Sequence, residues 1–567
     1  MKIRSVLLLA LATLAACSRP NPNPASLIFI NGKVWTGTDS SSFVQAVAIR
    51  GDTIMATGTT AEIAALTGDS TRIVDLQGRL LIPGFNDAHI HFLGGSIGLT
   101  EVDLTGQNTI ANVVKTIKRF AAENPDKKWI TGRGWQYTMF EGGLPTKEIL
   151  DSAISDRPVF IRAYDGHSAW ANSAALKAAN ITPATRFPGF GEIVKSQGKL
   201  TGVFKEDAMD VVSNVIPPLS TEEKLNALRK GIQLATSYGI TSLTNCSGSP
   251  EELQLYRQLL DRGELPIRVA ATFSVDDKTT FQQIERYTQI KDSVGRNNRL
   301  TSAGVKFMLD GVIESHTAGM LMPYSNLVPG EPSPTGNLSM PVERYRELVR
   351  EFDKRGFMIY THAIGDRAVR EALNAYEYAG NDNGTAGKTR HRIEHIETVS
   401  PDDLPRFADL GVLPSMEPIH AEPGTVSVWA DGVGKDRLPW SFAWASMLKA
   451  NAHLVYSSDW PACVALNPIR GLHTAVTRRT IDGLPEGGWV PEQRIPITDA
   501  LIAYTQGGAW SSFEENKKGR IATGQLADVI VLSQDLFSID PMKTHETQVL
   551  MTVIGGQVIF EKADPQP

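Results

Sequence analysis

The chain is poor in cysteine, carries no large excess of charge, and has few long apolar runs. Three cysteines in 567 residues, at positions 17, 246 and 463, exclude a disulfide framework and leave Cys246 and Cys463 as the two that could pair. The formal net charge of −6 comes without a basic patch, which argues against nucleic acid as a partner. Past the N-terminus no stretch is long and apolar enough to cross a bilayer. What is there is ordinary globular composition, 42% hydrophobic and 21% charged. The length exceeds one simple core and suits a large barrel with a smaller domain beside it.

The N-terminus reads as an export segment and not as part of the fold. Lys2 and Arg4 precede an apolar run from Val6 to Ala16, too short to span a membrane. The run ends in Leu14-Ala15-Ala16-Cys17, which resembles the lipobox of bacterial lipoproteins. That resemblance implies cleavage after residue 16, a lipid on Cys17, and a membrane-anchored protein facing the periplasm. The polar, Pro-rich segment 17–26 would then be a tether. The alternative is a plain signal peptide cut near Ala16.

Residues 27–80 and 520–563 read as short strands with Gly turns, such as Leu27 to Ile30 before Asn31-Gly32, and Val549 to Phe560 around Gly555-Gly556. Two β-rich ends flanking a long middle suggest one composite β-sandwich. The middle, 81–519, repeats an apolar run of strand length, then polar residues, then a helical pattern. Eight runs are present: Leu81 to His91, Gly239 to Asn245, Ile267 to Val275, Gly304 to Asp310, Met358 to His362, His391 to His395, Gly411 to Met416 and His453 to Asp459. Alternating strand and helix argues a parallel sheet, and eight repeats argue an α/β fold closed as a (β/α)8 TIM barrel. An open doubly wound sheet is disfavoured, because no Gly-rich phosphate loop follows the first run. The stretch 92–238, between the first and second runs, reads as a subdomain inserted at the barrel mouth.

The polar ends of these runs share one chemistry. The first ends in His89-Ile90-His91, whose alternate side chains face the same way on a strand. The others include His362, His395 and Asp459, with Lys306 inside the fourth. Each alone has a plain reading as a core histidine or a helix cap. Together, at the same end of separate barrel strands, four imidazoles and a carboxylate would converge into a ligand set suited to zinc.

With these residues in hand, the chain resembles the amidohydrolase superfamily, specifically its third amidohydrolase family of metal-dependent hydrolases. The matching stretches are Pro83 to His91, Asp165 to Ser173, Lys306 to Gly311, Thr361 to Asp366, Arg392 to His395, Ser457 to Pro461 and Gly524 to Asp528. The resemblance implies hydrolysis of a non-peptide carbon–nitrogen bond in a small molecule. It places His89 and His91 on a buried metal and His362 and His395 on an exposed one. Asp459 becomes both ligand and general acid/base, and Lys306 an N6-carboxylysine bridging two ions. Lys306 as a conventional lysine in a one-metal site is the alternative. One or two divalent ions are implied.

Outside that set, Asp366 and Glu394 stand near ligand histidines and could orient them. His167 and Asn172 match a family motif near the pocket. Trp135, Tyr137 and Trp170 could line it, as could His316 and Glu206. His420, His453, His473 and His545 read as structural or surface residues. Two other activities keep the same residues: hydrolysis of a cyclic amide, imine or ester, and non-catalytic binding of a metal or small molecule by a lipoprotein. The second is disfavoured by the presence of both Asp459 and the histidine pair.

Overall fold

The computed structural model describes residues 23–563, apart from 141–142, 164–167, 189–190, 296, 328–329, 331–332 and 463–464. The lipobox at Cys17, together with His167 and Cys463, lies outside the described residues, while Cys246 is a free, buried thiol.

Eight strands form one parallel sheet: β1 (Phe85–Ile90), β2 (Ile240–Asn245), β3 (Arg268–Val275), β4 (Leu300–Met308), β5 (Met358–Ala363), β6 (Arg392–His395), β7 (Leu413–Met416) and β8 (Val455–Tyr456). They pair in chain order, each with the next. At the C-terminal rim, Asp459 N donates to His89 O and His91 N to Trp460 O, both at 2.9 Å, drawing the two ends of the sheet together. The result is a (β/α)8 barrel. Its strands read as continuous apolar runs because helices cover their outer faces.

The helices have local causes. Thr221–Ser237 opens on a capping box of Ser220 and Glu223, Phe281–Val294 on one of Thr280 and Gln283. Pro250 stands in the first turn of Pro250–Asp261 behind the cap of Ser249. Asp366–Asn383 stops at Gly384, whose φ of 68° suits a residue without Cβ.

Two sequence expectations change. The first run is not one strand. It breaks at Gly84: Leu80–Pro83 pairs antiparallel with Val529–Leu532, and only Phe85–Ile90 enters the barrel. A Cβ at Gly84 would collide with Thr241 of β2, so glycine lets the chain pass between the two sheets. The insertion is also shorter than 92–238. Its six-stranded sheet runs from Val102–Asp103 to Lys199–Glu206. Helix Thr221–Ser237, expected within it, buries Leu225, Leu228 and Ile232 in the barrel core instead.

Strands from both ends of the chain share a six-stranded sheet, in which Gln557–Glu561, Val549–Ile554 and Val529–Leu532 continue into Leu80–Pro83, Lys33–Trp35 and Phe43–Val44. A four-stranded sheet containing Leu27–Ile30 packs on it through Phe29, Ile49, Leu81, Val529 and Val553.

Candidate metal centre

The C-terminal ends of β1, β4, β5 and β6 and the segment after β8 bring His89, His91, Lys306, His362, His395 and Asp459 into one place. Asp459 Oδ1 lies 3.1 Å from His91 Nε2 and 3.4 Å from His89 Nε2. Lys306 Nζ lies 3.5 Å from the same His89 Nε2. The ring of His395 is 5.0 Å from that of His89 and 4.5 Å from that of His362. His362 enters the group by its ring alone, since its Nε2 faces Gly311 O at 3.3 Å and Asp310 Oδ1 at 3.6 Å.

The far nitrogens are held by the protein. His89 Nδ1 meets Glu394 Oε2 at 2.7 Å, His395 Nδ1 meets Glu417 Oε2 at 2.9 Å, and His91 Nδ1 meets Cys246 O at 3.1 Å. A carboxylate or carbonyl on one imidazole nitrogen fixes the tautomer that leaves the other as a lone pair for a cation. Glu394 is itself anchored: Arg392 Nε donates to its Oε1 at 2.8 Å, and that guanidinium also donates to Ala88 O and stacks over Tyr360.

The electrostatics of two imidazoles suit a cation site, whereas at His395 burial is outweighed by Glu417 and Asp459, which hold it above the ordinary histidine value. Burial pushes His89 well below the usual histidine range, with the Lys306 charge adding to it, and burial does the same to His362. Both imidazoles are therefore neutral, the form that ligates. Burial works against ionisation of Asp459, yet His91, His395 and His420 hold its carboxyl well below the ordinary value. Its Oδ1 is buried without a hydrogen-bond partner among the described residues. An anionic, orphaned oxygen facing two Nε2 atoms fits a divalent ion. Asp459 and His395 also occupy left-handed backbone, φ 52° and 74°, a strain of about 1–3 kcal/mol each that clusters at functional sites.

Two residues of this centre were not foreseen. Glu417 follows β7 directly and holds both His395 and Ser457 Oγ. His420, expected to be structural or surface, stacks on His395 and puts Nε2 3.7 Å from Asp459 Oδ2. The signal was available for Glu417, the polar residue that ends the seventh run. His420 sits in a short 3-10 turn beyond it, Pro418–Ala421, where strand periodicity carries no information. Asp87 is a further buried acid. It accepts from Ser458 N at 3.1 Å, and burial pushes it up to about 7.

Other expectations are corrected. Asn172 is a helix cap and not a substrate contact: it is fully buried, its Oδ1 accepts from Val159 N and Ala175 N, and its Nδ2 donates to Ile154 O and Arg157 O. Trp135 and Trp170 are core residues of the insertion, their indoles committed to Ile161 O and Thr146 O. Among the described residues Asp366 makes no hydrogen bond to a histidine. Its Oδ1 accepts from Leu321 N and fastens the loop after β4. Tyr137 and Glu206 line a cavity of about 520 Å³ on the insertion, where Tyr137 donates to Ser168 Oγ. His316 stacks on Tyr324 and meets Asn326 Oδ1 at 2.8 Å.

Comparison with known proteins places this geometry. A model of the amidohydrolase family matches residues 72–560. The chain is 30% identical to the Arabidopsis thaliana protein LONG AFTER FAR-RED 3, over 97% of this chain and 94% of that one. It is 25% identical to the N-substituted formamide deformylase of Arthrobacter pascens, over 94% and 98%. The crystal structure of an uncharacterized metal-dependent hydrolase from Pyrococcus horikoshii matches with a TM-score of 0.73 at 28% identity, covering 91% of this chain and 99% of that one.

Proposed function

Because the chain belongs to the amidohydrolase family, we propose that it hydrolyses an acyclic amide of a small molecule, with N-substituted formamides as the first class to try. The observation that carries this reading is the convergence of His89 Nε2 and His91 Nε2 on Asp459 Oδ1, with the opposite nitrogens held by Glu394 and Cys246 O. These residues, with His395, would hold the ion, and an imidazole-rich set with one carboxylate favours zinc. A bound divalent ion supplies an acidified water, with pKa near ~7, and polarises the carbonyl under attack.

Asp459 takes a proton from the attacking water and returns it to the departing nitrogen, one carboxylate serving first as base and then as acid. Glu394 and Glu417 keep His89 and His395 in register for that event. Lys306 is 2% exposed, and no carboxylate lies within ion-pair distance of its Nζ among the described residues. A buried ammonium without a counter-ion is costly. Addition of CO2 to the neutral amine with loss of one proton gives a carbamate, an anion whose burial bound divalent ions would offset, and this supports a carboxylated Lys306 as a further group to hold them.

The test is metal content of the purified protein by mass spectrometry, with hydrolysis of N-benzylformamide before and after chelation. Stoichiometric zinc, and turnover lost on chelation and restored by zinc, support the reading. Unchanged turnover in metal-free protein overturns it.

A further inference from the structure

A groove of about 700 Å³ is lined by the inserted sheet and by segments that follow His91 and Asp459 in the chain. One wall is the helix Phe92–Gly98, which begins directly after His91, together with Pro461 and Ala462, two and three residues past Asp459. On that wall Gly94 and Gly98 stand four apart and so share a helix face, and a Cβ on either would meet open space. The opposite wall is the sheet face carrying Glu101, Thr131, Arg133, Phe160 and Arg162.

Arg133 and Arg162 lie on adjacent parallel strands, Ile130–Trp135 and Val159–Ala163, and are register partners. Neighbouring strands are ~4.8 Å apart, and like charges directly opposite are unfavourable. Both side chains are exposed, and among the described residues neither makes a hydrogen bond or an ion pair. The acids nearby are committed elsewhere: Glu101 Oε1 accepts from Thr131 Oγ1, and Asp103, the register neighbour of Arg133 on its other side, accepts from Thr105 N.

We propose that Arg133 and Arg162 bind a carboxylate on the substrate, at the end remote from the scissile bond, and so select anionic amides. Two guanidinium groups on adjacent strands offer the planar donors that a carboxylate takes up in bidentate fashion. A monoanion suits the face better than a phosphate dianion, which would meet Glu101 and Asp103 at close range. The glycine wall leaves room for the body of the substrate. This inference rests on the hydrolase reading above and assigns specificity to it.

The experiment compares N-benzylformamide with N-(4-carboxybenzyl)formamide as substrates, and measures binding of the corresponding amines by calorimetry to the metal-loaded protein. The expected result is a higher kcat/KM for the carboxylate-bearing substrate. In the Arg133→Gln/Arg162→Gln variant this preference falls about tenfold or more, the scale of one charge-assisted contact pair, with matching loss of preference in amine binding. Gly94→Leu, which fills open space, should impair the carboxylate substrate without unfolding the protein. Equal preference in parent and variant, in both turnover and binding, overturns the proposal. If neither formamide is hydrolysed while the 4-carboxybenzylamine preference persists and depends on the arginines, formamides fall as the substrate class and the anion site stands.

Discussion

Glu394 Oε2 stands 2.7 Å from His89 Nδ1, with neither side chain exposed to solvent. The pair is closed on its far side by Arg392, so the carboxylate is held from both ends. An imidazole so fixed offers its second nitrogen in one direction only.

Glu394→Gln keeps the shape and weakens that hold. Metal affinity should fall about 10–100-fold, the usual cost of losing such a partner. Chelator competition measures it, and unchanged affinity would show that Glu394 serves only to neutralise Arg392.

Asp459→Asn removes the proton acceptor while leaving the imidazoles in place. Turnover of an amide substrate should drop about 10²–10⁴-fold. Metal content measured alongside separates the loss of the base from loss of the ion, and turnover at the parent rate would refute the assignment.

His420→Asn tests the residue that sequence periodicity missed. Its Nε2 lies 3.7 Å from Asp459 Oδ2, so kcat should fall about tenfold or more while metal content holds. Parent kcat in this variant would return His420 to a packing role.

Asp353 gives a pH dependence away from the metal. Burial pushes its carboxyl up, but His391, Thr385 and Asn383 donate to it at 2.6–2.9 Å and hold it below the ordinary value. A depressed carboxyl stabilises the fold above its unfolded pKa of ~3.9 and loses that contribution as pH falls through the folded value. Thermal melts of parent and Asp353→Asn should differ by a constant amount above about pH 5 and converge below about pH 4.

Gly84→Ala places a methyl against Thr241 at the junction of the two sheets. Overpacking of this kind costs about 1–3 kcal/mol. The melting temperature should drop, and an unaltered one would mean that β2 yields there.

Much of this was legible in the chain because barrel strands announce themselves twice, by apolar content and by the polar residue that ends them. His89, His362, His395 and Asp459 carried both signals. Asn172 misled because a buried asparagine and a pocket asparagine look alike until the helix after it is seen: its side chain reaches Ala175 N, three residues on. Gly84 hid a change of sheet, since the residues on either side are equally apolar and only Thr241, far away in sequence, shows why no side chain fits. Arg133 and Arg162 were unreadable in principle, because strand register alone makes them neighbours.

The antiparallel pairing of Leu80–Pro83 with Val529–Leu532 sets an order on biosynthesis. The strand that leads into the first histidine pair waits for a segment translated more than four hundred residues later. One edge of that strand is met early by Lys33–Trp35, but the edge facing Val529–Leu532 stays open until that segment is made, so early-released fragments expose it to intermolecular pairing. Loss of the last few dozen residues would thus be felt at the metal-bearing end of the molecule.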